Sequence, residues 1–262
     1  MDDGTPHKKC RYIALYVPLA IIIFLLVLFL VLAVLYLTGS WRPAFMKNMF
    51  PANESLKIPI HPRFEGTGQI DMGSAFGQRI FEICRQNNVK NILEVGSWNG
   101  EGTTICVMNA IIDRKGCKLY SVEADGNMFK KATDFWATKN VGKKLKLMNG
   151  TLHRDMPEFN NDDALFVWEW YSGEKDVIEK APLLNIDNVP NLDFIILDGG
   201  EYTTRGDFEA LISKNTPKYI ALDDTRVFKC RDIRKELLED KKWEMIDDDQ
   251  EDRHGYSIFK LK

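Results

Sequence analysis

Asn91-Ile92-Leu93-Glu94-Val95-Gly96-Ser97-Trp98-Asn99-Gly100 is the stretch from which the rest of the chain is read. Asn91 to Val95 is a short, mostly apolar run of strand length. Gly96 and Gly100 frame a turn, and Glu101 to Ile112 continues in a helical pattern. A helix that starts here offers free N–H groups and a partial positive charge at its N-terminus. Gly96 lets the backbone turn sharply and come close to a bound molecule.

The alternation continues on both sides. Phe76, Ile80, Ile83 and Cys84 follow the spacing of one helix face. Downstream, strands are expected at Lys118–Glu123, Lys144–Met148, Asp193–Leu197 and Tyr219–Leu222. Helices are expected at Asn127–Lys139, Thr203–Ser213 and Val227–Glu239. Strand–helix alternation predicts a mostly parallel sheet covered on both faces. The last two strands, Trp243–Ile246 and Tyr256–Leu261, have no room for a helix between them and pair antiparallel at one edge.

The N-terminal part is of another kind. Tyr12 to Leu37 carries no charged residue and is long enough for a helix to span a bilayer core. It is too long for the apolar core of a cleaved signal peptide. Residues 1–11 form a short tail, 12–37 a transmembrane helix of signal-anchor type whose partner is the lipid bilayer, 38–70 a proline-containing linker, and 71–262 the folded domain. Lys8, Lys9 and Arg11 give a slight positive bias before the span, which favours a cytosolic N-terminus and a lumenal or extracellular domain. Asn53-Glu54-Ser55 and Asn149-Gly150-Thr151 are glycosylation sequons.

The chain has 262 residues and a net charge of -3. No basic stretch is dense enough to make nucleic acid the expected partner. Five cysteines include no CxxC pair and no Cys/His cluster, which argues against a structural zinc site; Cys84, Cys106 and Cys117 are most simply core residues.

Glu94-x-Gly96-x-x-x-Gly100 after the first strand resembles motif I of the class I S-adenosylmethionine-dependent methyltransferases. Gly-x-Gly-x-x-Gly, which a nicotinamide-binding fold would use, is absent. Tyr120-Ser121-Val122-Glu123 ends the second strand in an acid. In the family an acid at that place accepts both ribose hydroxyls, with Asp125 as a second candidate here, and Asn149-Gly150-Thr151 stands where the family contacts adenine. The resemblance therefore implies a Rossmann-like sheet, S-adenosylmethionine as cofactor, and Glu94, Gly96, Ser97, Gly100, Glu123, Gly150 and Thr151 as its binding residues.

Asp198 closes the fourth strand and Asp223-Asp224 close the fifth. Adjacent parallel strands bring their carboxyl ends to one crevice, where ligands bind in open α/β sheets. Three unpaired carboxylates repel one another, and a hard ion such as Mg²⁺ relieves this through oxygen ligands. Asp198, Asp223 and Asp224 resemble the metal ligands of catechol-type and of macrocin or cephalosporin-hydroxylase-like O-methyltransferases, and Leu222-Asp223-Asp224-Thr225 is closest to the second group. That resemblance implies methyl transfer to a metal-held hydroxyl, with a carbohydrate as the expected acceptor. Glu201 stands where catechol-type enzymes carry a lysine base, so Asp198 and Glu201 are the expected catalytic pair, with His153 as an alternative base.

Each signal has a competitor. Glu123 can cap a helix, Asp198-Gly199 can form a turn, and Asp223-Asp224 can precede a helix as its N-cap. Trp168, Trp170 and Tyr171 are expected either to stack on a substrate from above or to pack in the core. Asp247-Asp248-Asp249 is expected on the solvated surface. At the level of function, the alternatives are a catechol-type enzyme facing the cytosol and an inactive Rossmann-like module tethered to the membrane.

Overall fold

The computed structural model describes residues 63–161, 165–187 and 189–262. The expected span at 12–37, the tail before it and the linker as far as residue 62 lie outside the described residues, as does the sequon at Asn53. Among the described residues, no helix is long and apolar enough to cross a membrane.

The elements alternate as the apolar pattern dictates: α1 (Ala75–Cys84), β1 (Asn91–Val95), α2 (Thr103–Ile111), β2 (Lys118–Glu123), α3 (Gly126–Ala137), β3 (Leu145–Asn149), α4 (Trp168–Lys180), β4 (Phe194–Leu197), α5 (Thr204–Ile212), β5 (Tyr219–Asp223), α6 (Phe228–Glu239), β6 (Trp243–Asp249) and β7 (Tyr256–Leu261). The sheet runs β3-β2-β1-β4-β5-β7-β6. Its first five strands in that order are parallel, and β7 is antiparallel to both β5 and β6. The expected terminal hairpin is present, and β6 runs on to Asp249 through an irregularity between Met245 and Asp247.

Two apolar layers hold the sheet, and strand alternation deals residues between them. In β1, Ile92 faces the layer of α1 and α2, and Leu93 and Val95 face the layer of α5 and α6. The same division places Phe194 and Ile196 of β4 on one side and Ile195 and Leu197 on the other. Burying each such side chain contributes about 1.5–3 kcal/mol. Helix α1 buries Phe76, Ile80, Ile83 and Cys84, the face its spacing predicts, and starts at Ser74, whose hydroxyl accepts from the Gly77 N–H at 3.1 Å. Cys84, Cys106, Cys117 and Cys230 are buried free thiols.

Packing begins before residue 71. Phe64 and Ile70 are buried. The Phe64 backbone exchanges two hydrogen bonds with the Asn109 side chain, at 2.8 and 2.9 Å, and Gly68 N–H donates to the Glu101 carbonyl at 3.1 Å. Residues 64–70, expected in the linker, thus lie on α2 and run past the carboxyl end of β1. Strand order reverses between β1 and β4, so the crevice of an open α/β sheet falls at Gly96 and Asp198.

Candidate active site

The loop after β1 is held from several directions. Gly96 has φ +93°, and the Asp198 carbonyl occupies the place a Cβ would need. Gly96 and Ser97 N–H groups both donate to the Val122 carbonyl, at 2.9 and 3.1 Å. Gly100 has φ +78° and a Cβ there would lie 2.8 Å from Trp136 Nε1, which donates to the Gly100 carbonyl at 3.0 Å. The two glycines are thus demanded by backbone conformation and by close approach.

Glu94 does not line the cavity, which corrects the expectation that it contacts the cofactor. It points to the α2 side, fully buried. Its carboxylate accepts from Thr103 Oγ1, from Thr104 Oγ1 at 2.7 Å and from Ser121 Oγ at 2.6 Å. Burial raises its pKa and the three hydroxyls pull the other way. Its place is behind the loop, fastening β1 to α2 and β2. Gly100 likewise shapes the turn from behind.

Glu123 faces the cavity with Gly96, Gly150, Thr151 and Asp198. Its two oxygens accept from Trp98 N–H at 2.7 Å and Asp125 N–H at 2.9 Å. Burial raises its pKa to about 7, against the backbone bonds that lower it. Asp125 caps α3 by accepting from Asn127 and Met128 N–H groups, and both acids line the cavity. Gly150, at φ +149°, lets the chain pass under the Pro182 carbonyl, and Thr151 pairs with Leu183. The Asn149 amide donates to the Glu123 carbonyl at 2.9 Å, so this sequon's side chain is engaged in the fold. Ser97 is buried, and its Oγ is a buried side-chain atom without a hydrogen-bond partner.

Helix α4 roofs this cavity. Gly173, Glu174, Val177 and Ile178 line it, and the Glu174 carboxylate accepts from Tyr202 N–H, Thr203 N–H at 2.8 Å and Thr203 Oγ1 at 2.8 Å. One acid on α4 thus satisfies free donors at the start of α5. Of the three aromatic residues expected either to stack on a substrate or to pack in the core, Tyr171 packs in the core, while Trp168 and Trp170 are exposed. Tyr171 lies against Phe159 and Tyr202, and Trp168 meets Phe159 edge-on at 5.1 Å.

A second cavity opens on the other face of the glycine loop. Thr67, Gln69, Ser97, Asn99, Asp198, Asp224, Lys229 and Arg253 are among its lining residues, and Gly96, Trp98 and Asp198 are shared with the first cavity. Trp98, Asp224 and Arg253 have φ of 50°, 56° and 50°, and all three line this second cavity. Such backbone costs of order 1–3 kcal/mol each and gathers at working sites.

Asp198, Asp223 and Asp224 converge as expected, with one oxygen of each lying within 4.8 Å of the others. Their convergence point, however, is held by a side chain that sequence reading missed. Lys229 Nζ lies 3.0 Å from Asp198 Oδ1, 2.7 Å from Asp224 Oδ2 and 3.7 Å from Asp223 Oδ2. Arg253 Nη2 adds contacts of 3.4 Å to Asp223 and 3.8 Å to Asp224. Burial pulls the Lys229 ammonium down, but the three carboxylates outweigh it and hold the pKa above its ordinary value. Burial and the neighbouring Asp198 raise Asp223 to about 8. Burial raises Asp198 while Lys229 opposes that shift.

A divalent ion does not fit this arrangement as it stands. Lys229 Nζ already fills the space among these carboxylates, 3.0 Å from Asp198 Oδ1 and 2.7 Å from Asp224 Oδ2. The Mg²⁺ expectation followed from three carboxylates lacking a counter-charge and from the resemblance to metal-dependent O-methyltransferases; Lys229 and Arg253 supply the counter-charge.

Glu201 does not reach either cavity. Its Oε1 accepts from the Lys229 backbone N–H at 3.2 Å, so it caps the start of α6. Burial raises its pKa, but a carboxylate turned onto a helix end is not placed as a base for the acceptor, and that expectation is withdrawn. His153 is also engaged: Nε2 lies 2.9 Å from the Thr203 carbonyl, and Nδ1 accepts from Asp155 N–H at 3.1 Å. Asp224 Oδ1 is a buried oxygen without a hydrogen-bond partner at the second cavity. The Asp247–Asp249 run is less solvated than expected, since Asp247 pairs with Arg79 at 2.6 Å and Asp248 with Arg234 at 3.1 Å.

No protein-family model matches the chain. No curated protein sequence matches it either. Solved structures do. The O-methyltransferase from Bacillus cereus, in complex with SAH, aligns at a TM-score of 0.50 with 16% identity, over 71% of this chain and 80% of that one. TomG from Streptomyces achromogenes, an O-methyltransferase involved in tomaymycin synthesis and solved with SAM, gives a TM-score of 0.49 with 13% identity, over 71% and 79%. At this identity the likeness is one of fold, and the protein has the fold of the class I S-adenosylmethionine-dependent O-methyltransferases.

Proposed function

We propose that this protein is an S-adenosylmethionine-dependent O-methyltransferase, anchored in a membrane by residues 12–37, that methylates a hydroxyl of a carbohydrate-type acceptor. The observation that carries the reading is the common wall formed by Gly96, Trp98 and Asp198 between two cavities of different character.

The first cavity supports the cofactor. Glu123 offers two carboxylate oxygens for the two ribose hydroxyls, as the family resemblance implies. Gly96 admits a ligand where a side chain would collide, and Gly150 and Thr151 close the adenine end under Val177 and Ile178. When bound, S-adenosylmethionine supplies a methyl group on positively charged sulfur, which an oxygen nucleophile can displace.

The second cavity supports the acceptor. Thr67, Gln69 and Asn99 line it with groups that hydrogen-bond hydroxyls, and Lys229 and Arg253 add N–H donors for an oxygen. Asp224 lines this chamber as the candidate to take the acceptor's proton, and Asp198 stands at the boundary between the two chambers. Positioning accounts for much of the rate in such a site. Metal assistance forms no part of this reading, because Nζ of Lys229 holds the position. The anchor and a lumenal domain favour a glycan acceptor, since glycans are presented there.

The test is transfer of radiolabelled methyl from S-adenosylmethionine to glycan acceptors by the full-length chain. Asp224→Asn is expected to retain cofactor binding and lose at least a hundredfold in transfer. Label transferred equally by wild type and Asp224→Asn contradicts the assignment of the base. Cofactor binding with no transfer to any hydroxyl acceptor contradicts the reading as an O-methyltransferase.

A further inference from the structure

The acid triad has a cation built into the chain. Lys229 is the second residue of α6 and is buried at 6% exposure. Both circumstances work against a lysine. Ammonium groups are rarely buried without a partner, and the positive end of a helix dipole disfavours a cation in the first turn. Neither cost is incurred by accident of packing, because the side chain ends among carboxylates from two different strands. Nζ hydrogen-bonds Asp198 Oδ1 at 3.0 Å and pairs with Asp224 Oδ2 at 2.7 Å, with Asp223 Oδ2 at 3.7 Å. These are the three residues whose carboxylates converge closely enough to hold a hard divalent ion.

The surroundings fit the same account. Glu201 accepts the Lys229 backbone N–H, which fixes the residue at the start of the helix. Phe228, the residue before it, packs edge-on against Phe166 at 4.6 Å and beside Tyr202, so the helix start is fastened on its apolar side too. Arg253 brings a second cationic side chain to Asp223 and Asp224 from the β6–β7 connection.

We propose that the Lys229 ammonium is the permanent cation of this centre, standing in the place of a divalent ion, so that Asp198, Asp223 and Asp224 bind no metal while Lys229 is present. The catalytic meaning of the proposal rests on the methyltransferase reading, but the placement of the cation does not. Lys229 then has two tasks: it keeps three acids together at the carboxyl ends of β4 and β5, and it presents N–H to an acceptor oxygen in the second cavity.

Mn²⁺ titration of the full-length chain, followed by electron paramagnetic resonance, tests this directly. The free-ion signal is expected to persist at equimolar Mn²⁺ with wild type, and Lys229→Met is expected to take up one ion per chain. Uptake by wild type that Asp224→Asn leaves unchanged reports a different place on the molecule and agrees with a metal-free triad. Uptake of one ion per chain by wild type, lost in Asp224→Asn, overturns the proposal. The wild-type arm decides the matter even if a variant folds poorly. Calorimetric titration of the same wild-type sample with S-adenosylmethionine tests the cofactor reading separately, so the two ideas fail independently.

Discussion

Trp98 N–H donates to Glu123 Oε2 at 2.7 Å, which ties the glycine loop after β1 to the acid that ends β2. Trp98 adopts φ 50° in making this bond. The loop and the acid are therefore set in register with each other.

Cofactor affinity should depend on pH through Glu123. Its pKa is raised to about 7, by burial first. The ionised form accepts from ribose hydroxyls, and the protonated form has lost that capacity at one oxygen. Affinity for S-adenosylmethionine is thus expected to be full above about pH 8 and to fall up to tenfold per unit below about pH 6. In Glu123→Gln the affinity should be at least tenfold weaker and flat over this range. Calorimetry at several pH values checks both.

Gly96→Ala should abolish cofactor binding. A Cβ at φ +93° collides with the Asp198 carbonyl, and backbone on both sides prevents easy relief. The unfavourable backbone costs roughly 1–2 kcal/mol and overpacking roughly 1–3 kcal/mol more. Thermal denaturation should show a variant that still folds but melts lower, and titration should show no saturable binding.

Asp207→Asn should stabilise the protein at high pH. Asp207 is buried at the first cavity, beside His153 Nε2 at 3.5 Å, and burial raises its pKa to about 8. A carboxyl whose folded pKa lies above its ordinary 3.8 contributes stability that is complete below pH 3.8 and lost as pH rises to about 8. Asparagine removes that loss. Melting temperatures of wild type and variant should be similar near pH 4 and diverge up to about pH 8, with the variant higher by several degrees. The gap should be constant above that.

Glu174→Ala should loosen the roof of the cofactor cavity and leave the sheet intact. Its carboxylate accepts from Thr203 N–H and Thr203 Oγ1, and losing a charged acceptor costs roughly 1.5–3 kcal/mol per bond. Hydrogen exchange should accelerate in Trp168–Lys180 and at the start of α5, with β1, β4 and β5 still protected.

The fold was legible because the strands are short apolar runs bounded by turns, and the glycine loop announced which strand comes first. Phe194-Ile195-Ile196-Leu197 could hardly be anything but a buried strand. Helix α4 was not legible as a helix. It lacks a side-chain cap at Val167, and among its residues only Tyr171 and Ile178 are buried, so its apolar period is faint. Glu94 was misjudged because a motif gives the position of an acid but not its direction. Strand alternation sends Glu94 to the α2 side, opposite Leu93 and Val95. Lys229 escaped notice because its importance depends on distances between β4, β5 and α6. In the sequence it is one lysine at the head of an ordinary amphipathic helix. The three aspartates did point to a cation, and the structure supplies one from the chain itself.

The most direct test of the account is calorimetric titration of the full-length chain with S-adenosylmethionine at pH 8. One site per chain is expected, lost in Gly96→Ala and weakened at least tenfold in Glu123→Gln, with both variants folded by circular dichroism. Absence of binding by folded wild type, or binding that both substitutions leave unchanged, would contradict the account.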